Sequence, residues 1–242
     1  DASFHIEERE KAAIVGINGA GKSTTIKMMS GILVPSSGEL RVLGMVPYEN
    51  RKRLAKRIGV VFGQRSQLWW DLPVMDTFLL LKKLYKIEDS VFEQNMKEYS
   101  ELLGIGEFMN QPVRQLSLGQ RMRADLCAAL LHNPQILFLD EPTIGLDVVV
   151  KKQIRDMIKK INEVRKVTVI LTTHDMKDVD QATGLQQEPE AWSYPLPKLI
   201  SQKAEPPSGF FQKGCPHNRI RHEDGNPRIL YTALYHRSEY RP

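Results

Sequence analysis

The chain has 242 residues, 41% hydrophobic and 26% charged, with a net charge of +5. These values lie near globular averages and exclude a collagenous, coiled-coil or wholly disordered chain, and the length allows one or two domains. A bilayer span needs about 20 mostly apolar residues in a row, but Phe78–Leu81 stops at Lys82 and Ile136–Leu139 at Asp140, so the chain is expected not to cross a membrane by itself. Asp1–Glu10 carries five charges and no apolar centre, which argues against a signal peptide. The missing initiator Met points to a fragment or a processed chain. Cys127 and Cys215 cannot build a disulfide framework, so a reducing cytosol is the expected compartment. The modest positive charge permits an acidic partner or an anionic lipid surface and demands neither.

Up to about residue 180, apolar runs bounded by turn residues alternate with segments of helical period, as in a βαβ-rich fold. Lys11–Ile17 reads as a buried strand and Lys22–Ile32 as a helix. Arg51–Arg57 holds five basic residues in seven and reads as a solvated helix face rather than a nucleic-acid patch. Ile58–Phe62 is a short strand. Asp76–Tyr85 and Ser90–Leu103 read as helices, the second opened by a Ser90-x-x-Glu93 capping box and stopped at Gly104. Within it Phe92, Met96, Tyr99 and Leu103 recur at core spacing. Arg121–His132 is a further helix, Ile136–Leu139 a strand. Val149–Arg165 is amphipathic, with Ile154, Ile158 and Ile161 on one side and Lys151, Lys152, Arg155, Lys159 and Lys160 expected outside. Val167–Thr172 is a strand of β-branched residues.

From Gln181 the pattern fails. The last part of the chain holds eight of the 14 prolines, and its composition reads as irregular or disordered. Only Arg228–Tyr235 keeps a usable period. Cys215-x-His217 with His222 lacks a fourth ligand at metal-binding spacing.

Two elements carry nucleotide chemistry. Gly16 through Ser23 (Gly-Ile-Asn-Gly-Ala-Gly-Lys-Ser) fits the phosphate-loop pattern of two glycines followed by Lys and a hydroxyl. Its glycines let successive backbone N–H groups of Asn18, Gly19, Ala20, Gly21 and onward to Thr24 turn toward phosphates. The following helix adds its positive dipole end. Lys22 is expected on the β- and γ-phosphates, Ser23 on Mg²⁺. The second element is Ile136–Glu141, an apolar strand ending in two acids. Asp140 would stand at the sheet's carboxyl edge and hold the Mg²⁺ shell, while Glu141 would accept a proton from the attacking water. Together these predict a nucleoside triphosphate site.

Four further motifs, in order along residues 16–174, make the chain resemble the ATP-binding cassette (ABC) ATPases. Leu116-Ser117-Leu118-Gly119-Gln120 resembles the family's signature, Gln64 its Q-loop, Ile144-Gly-Leu-Asp147 its D-loop, and His174 its switch histidine. The stretch Val60 to Pro73 and the variant signature with Leu118 look like the bacterial drug, polysaccharide or ion exporters. The resemblance implies ATP and Mg²⁺ as cofactors, with ATP between one phosphate loop and the opposing chain's signature residues Ser117, Gly119 and Gln120, Asp147 nearby. It also implies that His174 contacts the γ-phosphate and that Gln64 reaches Mg²⁺ and water. Trp69 and Trp70 either fill the core or, as the resemblance implies, face a membrane-spanning subunit.

The chain also departs from that family. Only 15 residues precede Gly16, so the upstream strand with its adenine-stacking aromatic is expected to be missing. Arg9 stands where the family commonly has glycine, at a turn whose φ > 0 would strain it, and the tail reads as unrelated. The expectation is therefore an α/β phosphate-loop NTPase: residues 1–180 as ATPase domain with a mainly parallel sheet, a helical insertion at about 76–131 carrying the signature, and an irregular tail at 181–242. It would be the peripheral ATPase of a membrane exporter at the cytoplasmic face of the membrane, paired with a second ATPase subunit, with no nucleic acid expected. The alternatives are a soluble ABC-type ATPase acting on DNA or ribosomes, and a truncated cassette that binds ATP without turnover.

Overall fold

The structure is a computed structural model that describes residues 4–63 and 65–174, together with the backbone of Arg228–Tyr231. Five strands form one sheet: β1 (Lys11–Val15), β2 (Ile58–Phe62), β3 (Ile136–Asp140), β4 (Thr168–Thr173) and β5 (Arg228–Tyr231). Their order is β2-β3-β4-β1-β5, and every pairing is parallel. The helices are α1 (Lys22–Met29), α2 (Arg51–Ala55), α3 (Val74–Tyr85), α4 (Asp89–Leu103), α5 (Leu118–Leu130) and α6 (Val148–Arg165).

Alternation along each strand divides the core into two layers. Ala12, Ile14, Phe138 and Ile170 face one side, where Ile26 and Met29 of α1 and Leu54 of α2 cover them. Ala13, Val15, Leu137, Leu139, Val169 and Leu171 face the other, under α4, α5 and α6. A sheet buried on both faces needs near-continuous apolar strands, which is what the sequence supplies. Phe92, Met96, Tyr99 and Leu103 are buried as their spacing implied, and so are Ile154, Ile158 and Ile161.

Several local expectations need correction. Helix α4 begins at Asp89 with Glu88 as its cap and no side-chain bond to the cap position, so Ser90 lies inside the first turn and Glu93 just past it. The capping box that does form is at α5, three residues before the expected helix start. There the Ser117 side chain accepts from Gln120 N–H, and the Gln120 side chain accepts from Ser117 N–H. Arg155, expected outside, is 5% exposed: its long aliphatic stem lets it lie along the buried side of α6. Arg9 does adopt φ 67°. The strain is held in place by its N–H donating to Thr168 Oγ1 (2.7 Å) and its carbonyl accepting from Asn162 Nδ2 (2.9 Å).

The tail segment that kept its period contains β5, which lies beside β1 with Ala12 opposite Arg228 and Val15 opposite Tyr231. Cys215, His217, His222 and Gln64 lie outside the described residues.

Candidate nucleotide site

Strand register puts the functional residues on one edge. Asp140 pairs with Thr172 and with Phe62, and Val15 pairs with Thr173. The carboxyl ends of four parallel strands therefore finish level, and Gly16, Gly63, Glu141 and His174 follow them directly. This is where open α/β sheets bind ligands.

The loop from Gly16 to Gly21 leads straight into α1. Gly19 and Gly21 both have φ 86°, a region closed to most side chains, and a Cβ at Gly19 would meet no atom within 4 Å. Glycine is thus required at Gly19 by backbone conformation and not by crowding. Lys22, first residue of α1, is 5% exposed. Its ammonium donates to the carbonyls of Gly16 (2.9 Å) and Ile17 (3.1 Å) and lies 3.2 Å from Glu141 Oε1. Burying an ammonium is costly unless all its donors are used, and three oxygens take them.

Ser23 Oγ donates to Asp140 Oδ1 (2.8 Å), and so does Thr172 Oγ1 (2.7 Å). Thr172 Oγ1 also accepts from Glu141 N–H (3.0 Å), and Thr172 O accepts from the same N–H (3.2 Å). These bonds hold Glu141 at φ 51°, in the left-handed region that a residue with a side chain seldom enters. The conformation turns its carboxylate back toward the loop: Oε1 meets Lys22, and Oε2 stands 3.2 Å from His174 Nδ1. Gly63 completes the corner. Its N–H donates to Asp140 O (2.8 Å), and a Cβ there would lie 2.3 Å from Glu141 O.

The residues expected from the sequence therefore fall into two groups. Lys22, Ser23, Asp140, Glu141 and His174 converge, with Gly19, Ala20 and Gly21 in the loop and Thr24 exposed in the first turn of α1. Ser117 and Gln120 are instead bonded to each other at the exposed N-terminus of α5. Gly119 packs on α6, where a Cβ would meet Val150 Cγ1 at 2.7 Å. Asp147 caps α6 by accepting from Val149 and Val150 N–H, both at 3.0 Å. Thr172 was missed by the sequence reading; the only local signal was a Thr-Thr pair closing an apolar strand. Trp69 and Trp70 are 53% and 52% exposed and do not fill the core.

Residues 1–144 match the ABC transporter family. The ABC transporter ATP-binding protein NatA of Bacillus subtilis is 31% identical over 74% of this chain and 72% of its own length. The linearmycin resistance ATP-binding protein LnrL of the same organism is 33% identical over 74% of this chain and 57% of its own. The ATP-binding cassette MJ0796, solved as a dimer in a post-hydrolysis state bound to ADP and Pi, superposes with a TM-score of 0.64. It is 28% identical over 74% of this chain and 81% of that one.

Proposed function

Since the chain belongs to the ABC transporter family, we propose that it is the ATP-hydrolysing subunit of a membrane exporter, working in a head-to-tail pair of ATPase subunits. The observation that carries this reading is the meeting of the phosphate loop with the two acids, through Lys22–Glu141 and Ser23–Asp140. Lys22 and the backbone N–H groups of Asn18 to Thr24 bind the triphosphate at the α1 N-terminus. The Ser23 hydroxyl and the Asp140 carboxylate are adjacent hard oxygen donors, the ligand type that suits Mg²⁺. They would hold that ion, which when bound offsets phosphate charge.

Glu141 is the general base: its carboxylate, 15% exposed, stands between Lys22 and His174. His174 keeps that carboxylate oriented and reaches the γ-phosphate. Gln64 completes the metal and water contacts on the strength of the family likeness. Ser117, Gly119 and Gln120 form an anion-facing helix terminus for the nucleotide of the opposing subunit, beside Asp147. Residues 1–180 are the ATPase domain, with about 76–131 as its signature-bearing part.

The exporter direction is supported by the likeness to the linearmycin resistance protein. The half-exposed Trp69 and Trp70 supply an interface of the aromatic kind for a membrane-spanning subunit. Among the described residues no helix is long and apolar enough to cross a membrane, which fits a peripheral subunit at the cytoplasmic face. A nucleic-acid partner is not part of the proposal.

The test is hydrolysis by the purified chain with Mg-ATP and with ATP plus chelator, followed by identification of what co-purifies. Turnover that stops on chelation, with a membrane subunit bound, supports the proposal. Binding without turnover supports a truncated cassette, and co-purified nucleic acid supports the soluble-ATPase alternative.

A further inference from the structure

Asp125 is a carboxylate in the middle of α5, yet it is only 4% exposed. A buried acid costs stability that an Ala or Leu there would not, unless its bonds serve a purpose. Those bonds all lead to one loop. Asp125 Oδ1 accepts from Ser66 Oγ (3.0 Å) and from Gln67 N–H (3.1 Å), and its carbonyl accepts from Gln67 Nε2 (3.1 Å). Ser66 Oγ in turn accepts from Leu68 N–H (3.1 Å). One helical turn before Asp125, the Arg121 guanidinium lies 4.6 Å from the centre of the Trp70 ring. Burial raises the Asp125 carboxyl to about 7, against the opposing pull of the Ser66 and Gln67 hydrogen bonds and the Arg121 charge.

The same loop is fastened elsewhere. At its start Gly63 is bonded to Asp140 O and packed against Glu141 O. At its end Trp70 O accepts from Arg114 N–H (2.9 Å) and Leu72 O from Val113 N–H (3.1 Å), just ahead of Ser117. Residues 63 and 65–72 thus touch the acids at one end and the approach to the α5 N-terminus at the other, with Asp125 gripping the middle. A cleft of about 350 Å³ between Gly63, Leu118, Asp125 and Gly145 lies beside the grip.

We propose that Asp125 is a positioning residue for ATP hydrolysis: it locks the loop that carries Gln64, Trp69 and Trp70 to α5, so that the Glu141 corner and the Ser117 terminus move as one. The proposal rests on the ATPase reading above. If the unaltered chain binds ATP and does not turn it over, it is that reading which fails.

The experiment compares Asp125→Ala, Asp125→Asn and Ser66→Ala in the full chain, with kcat normalised to nucleotide bound per molecule. Asp125→Ala should lower kcat about tenfold with KM for ATP within about twofold, the signature of lost transition-state positioning. Asp125→Asn keeps the Oδ1 acceptor and should recover most of that loss. Ser66→Ala removes one arm from an exposed residue and should lower kcat severalfold, which decides the matter if Asp125→Ala does not fold. An unchanged kcat in Ser66→Ala or in folded Asp125→Ala overturns the proposal, as does an Asn variant as impaired as the Ala variant.

Discussion

The Lys22 ammonium and the Glu141 carboxylate stand 3.2 Å apart, their side chains 4% and 15% exposed. This ion pair joins the phosphate loop to the end of β3. Two charges so withdrawn from water repay their desolvation only if their remaining donors and acceptors are also used. The Gly16 and Ile17 carbonyls and His174 do this. The proposed base is therefore engaged by the proposed phosphate ligand. A triphosphate that draws the ammonium to itself leaves Glu141 available to a water molecule.

Lys22→Ala is expected to lower ATP affinity by at least about a hundredfold, because charge-assisted bonds to the β- and γ-phosphates are lost. It should also destabilise the nucleotide-free chain by about 1–3 kcal/mol, since Glu141 is left partly buried without its cation. Titration with a fluorescent ATP analogue and urea unfolding measure the two effects. Combining Lys22→Ala with Glu141→Gln should reduce the stability loss. Full affinity in Lys22→Ala would reject the phosphate-loop assignment.

Thr172→Val keeps the shape of a buried strand residue and deletes the hydroxyl between the two acids. Asp140 loses one of its donors, and Glu141 N–H loses one of its acceptors. Asp140 keeps Ser23 Oγ and Glu141 N–H keeps Thr172 O, so each lost hydrogen bond costs about 0.5–1.5 kcal/mol, and Glu141 is no longer fully held at its left-handed φ. The expected result is a lower melting temperature with kcat reduced about tenfold and ATP affinity nearly kept. A variant with normal kcat would show that the hydroxyl only stabilises the strand.

The contrast between these two residues shows what the sequence could disclose. Lys22 sits in a contiguous pattern whose spacing follows from how a loop wraps phosphate, so it is legible locally. The role of Thr172 depends on the β3–β4 register that sets it opposite Asp140, and nothing near it in the chain encodes that pairing. The strands were legible because burial on both faces demands unbroken apolar runs. Helix starts were less so: Ser90-x-x-Glu93 and Ser117-x-x-Gln120 look alike as strings, and only the second coincides with the point where the chain enters its helix. Asp125 and Arg155 bring ionisable side chains into the core, against the amphipathic pattern, and for Asp125 that pattern cannot foresee the partners Ser66 and Gln67 supplied by a distant loop.

Stability should respond to pH through two groups of opposite sign, one buried and one half-buried. Asp125, raised by burial to about 7, favours its neutral form in the fold against an ordinary value near 3.9. Its contribution is complete below about pH 4 and disappears as pH rises through about 7. His132 is lowered by burial, partly opposed by its hydrogen bond with Ile58 O (2.9 Å), and its ring stacks on Tyr85 at 4.0 Å. Its contribution is present above about pH 6.5 and is lost as pH falls toward the lowered folded value. Melting temperatures from about pH 5 to pH 8 should therefore show Asp125→Asn gaining on the unaltered chain as pH rises. His132→Gln should gain on it as pH falls. Parallel curves for all three proteins would mean that neither group titrates differently on unfolding.

Glu141→Gln separates the chemistry from the binding. The amide keeps the size of the side chain and can still meet Lys22 and His174, but it cannot take a proton from water. General-base assistance is worth about 10²–10⁴ in rate, so hydrolysis should fall by that order. Phosphate contacts through Lys22 and the loop amides are untouched, so ATP affinity should persist. Intact nucleotide then remains in the site long enough to bridge two chains. The capped α5 terminus is the surface available for that bridge: Ser117 is exposed, and among the described residues its hydroxyl is engaged only with Gln120 N–H of its own first turn. Size-exclusion chromatography of Glu141→Gln should show a dimer with Mg-ATP and a monomer with Mg-ADP. Adding Ser117→Ala should abolish the dimer while nucleotide binding by each chain survives, since Ser117 is not among the residues gathered around Lys22. A Glu141→Gln chain that binds ATP and stays monomeric would reject the head-to-tail pairing. A dimer unaffected by Ser117→Ala would mean that some other surface joins the two chains.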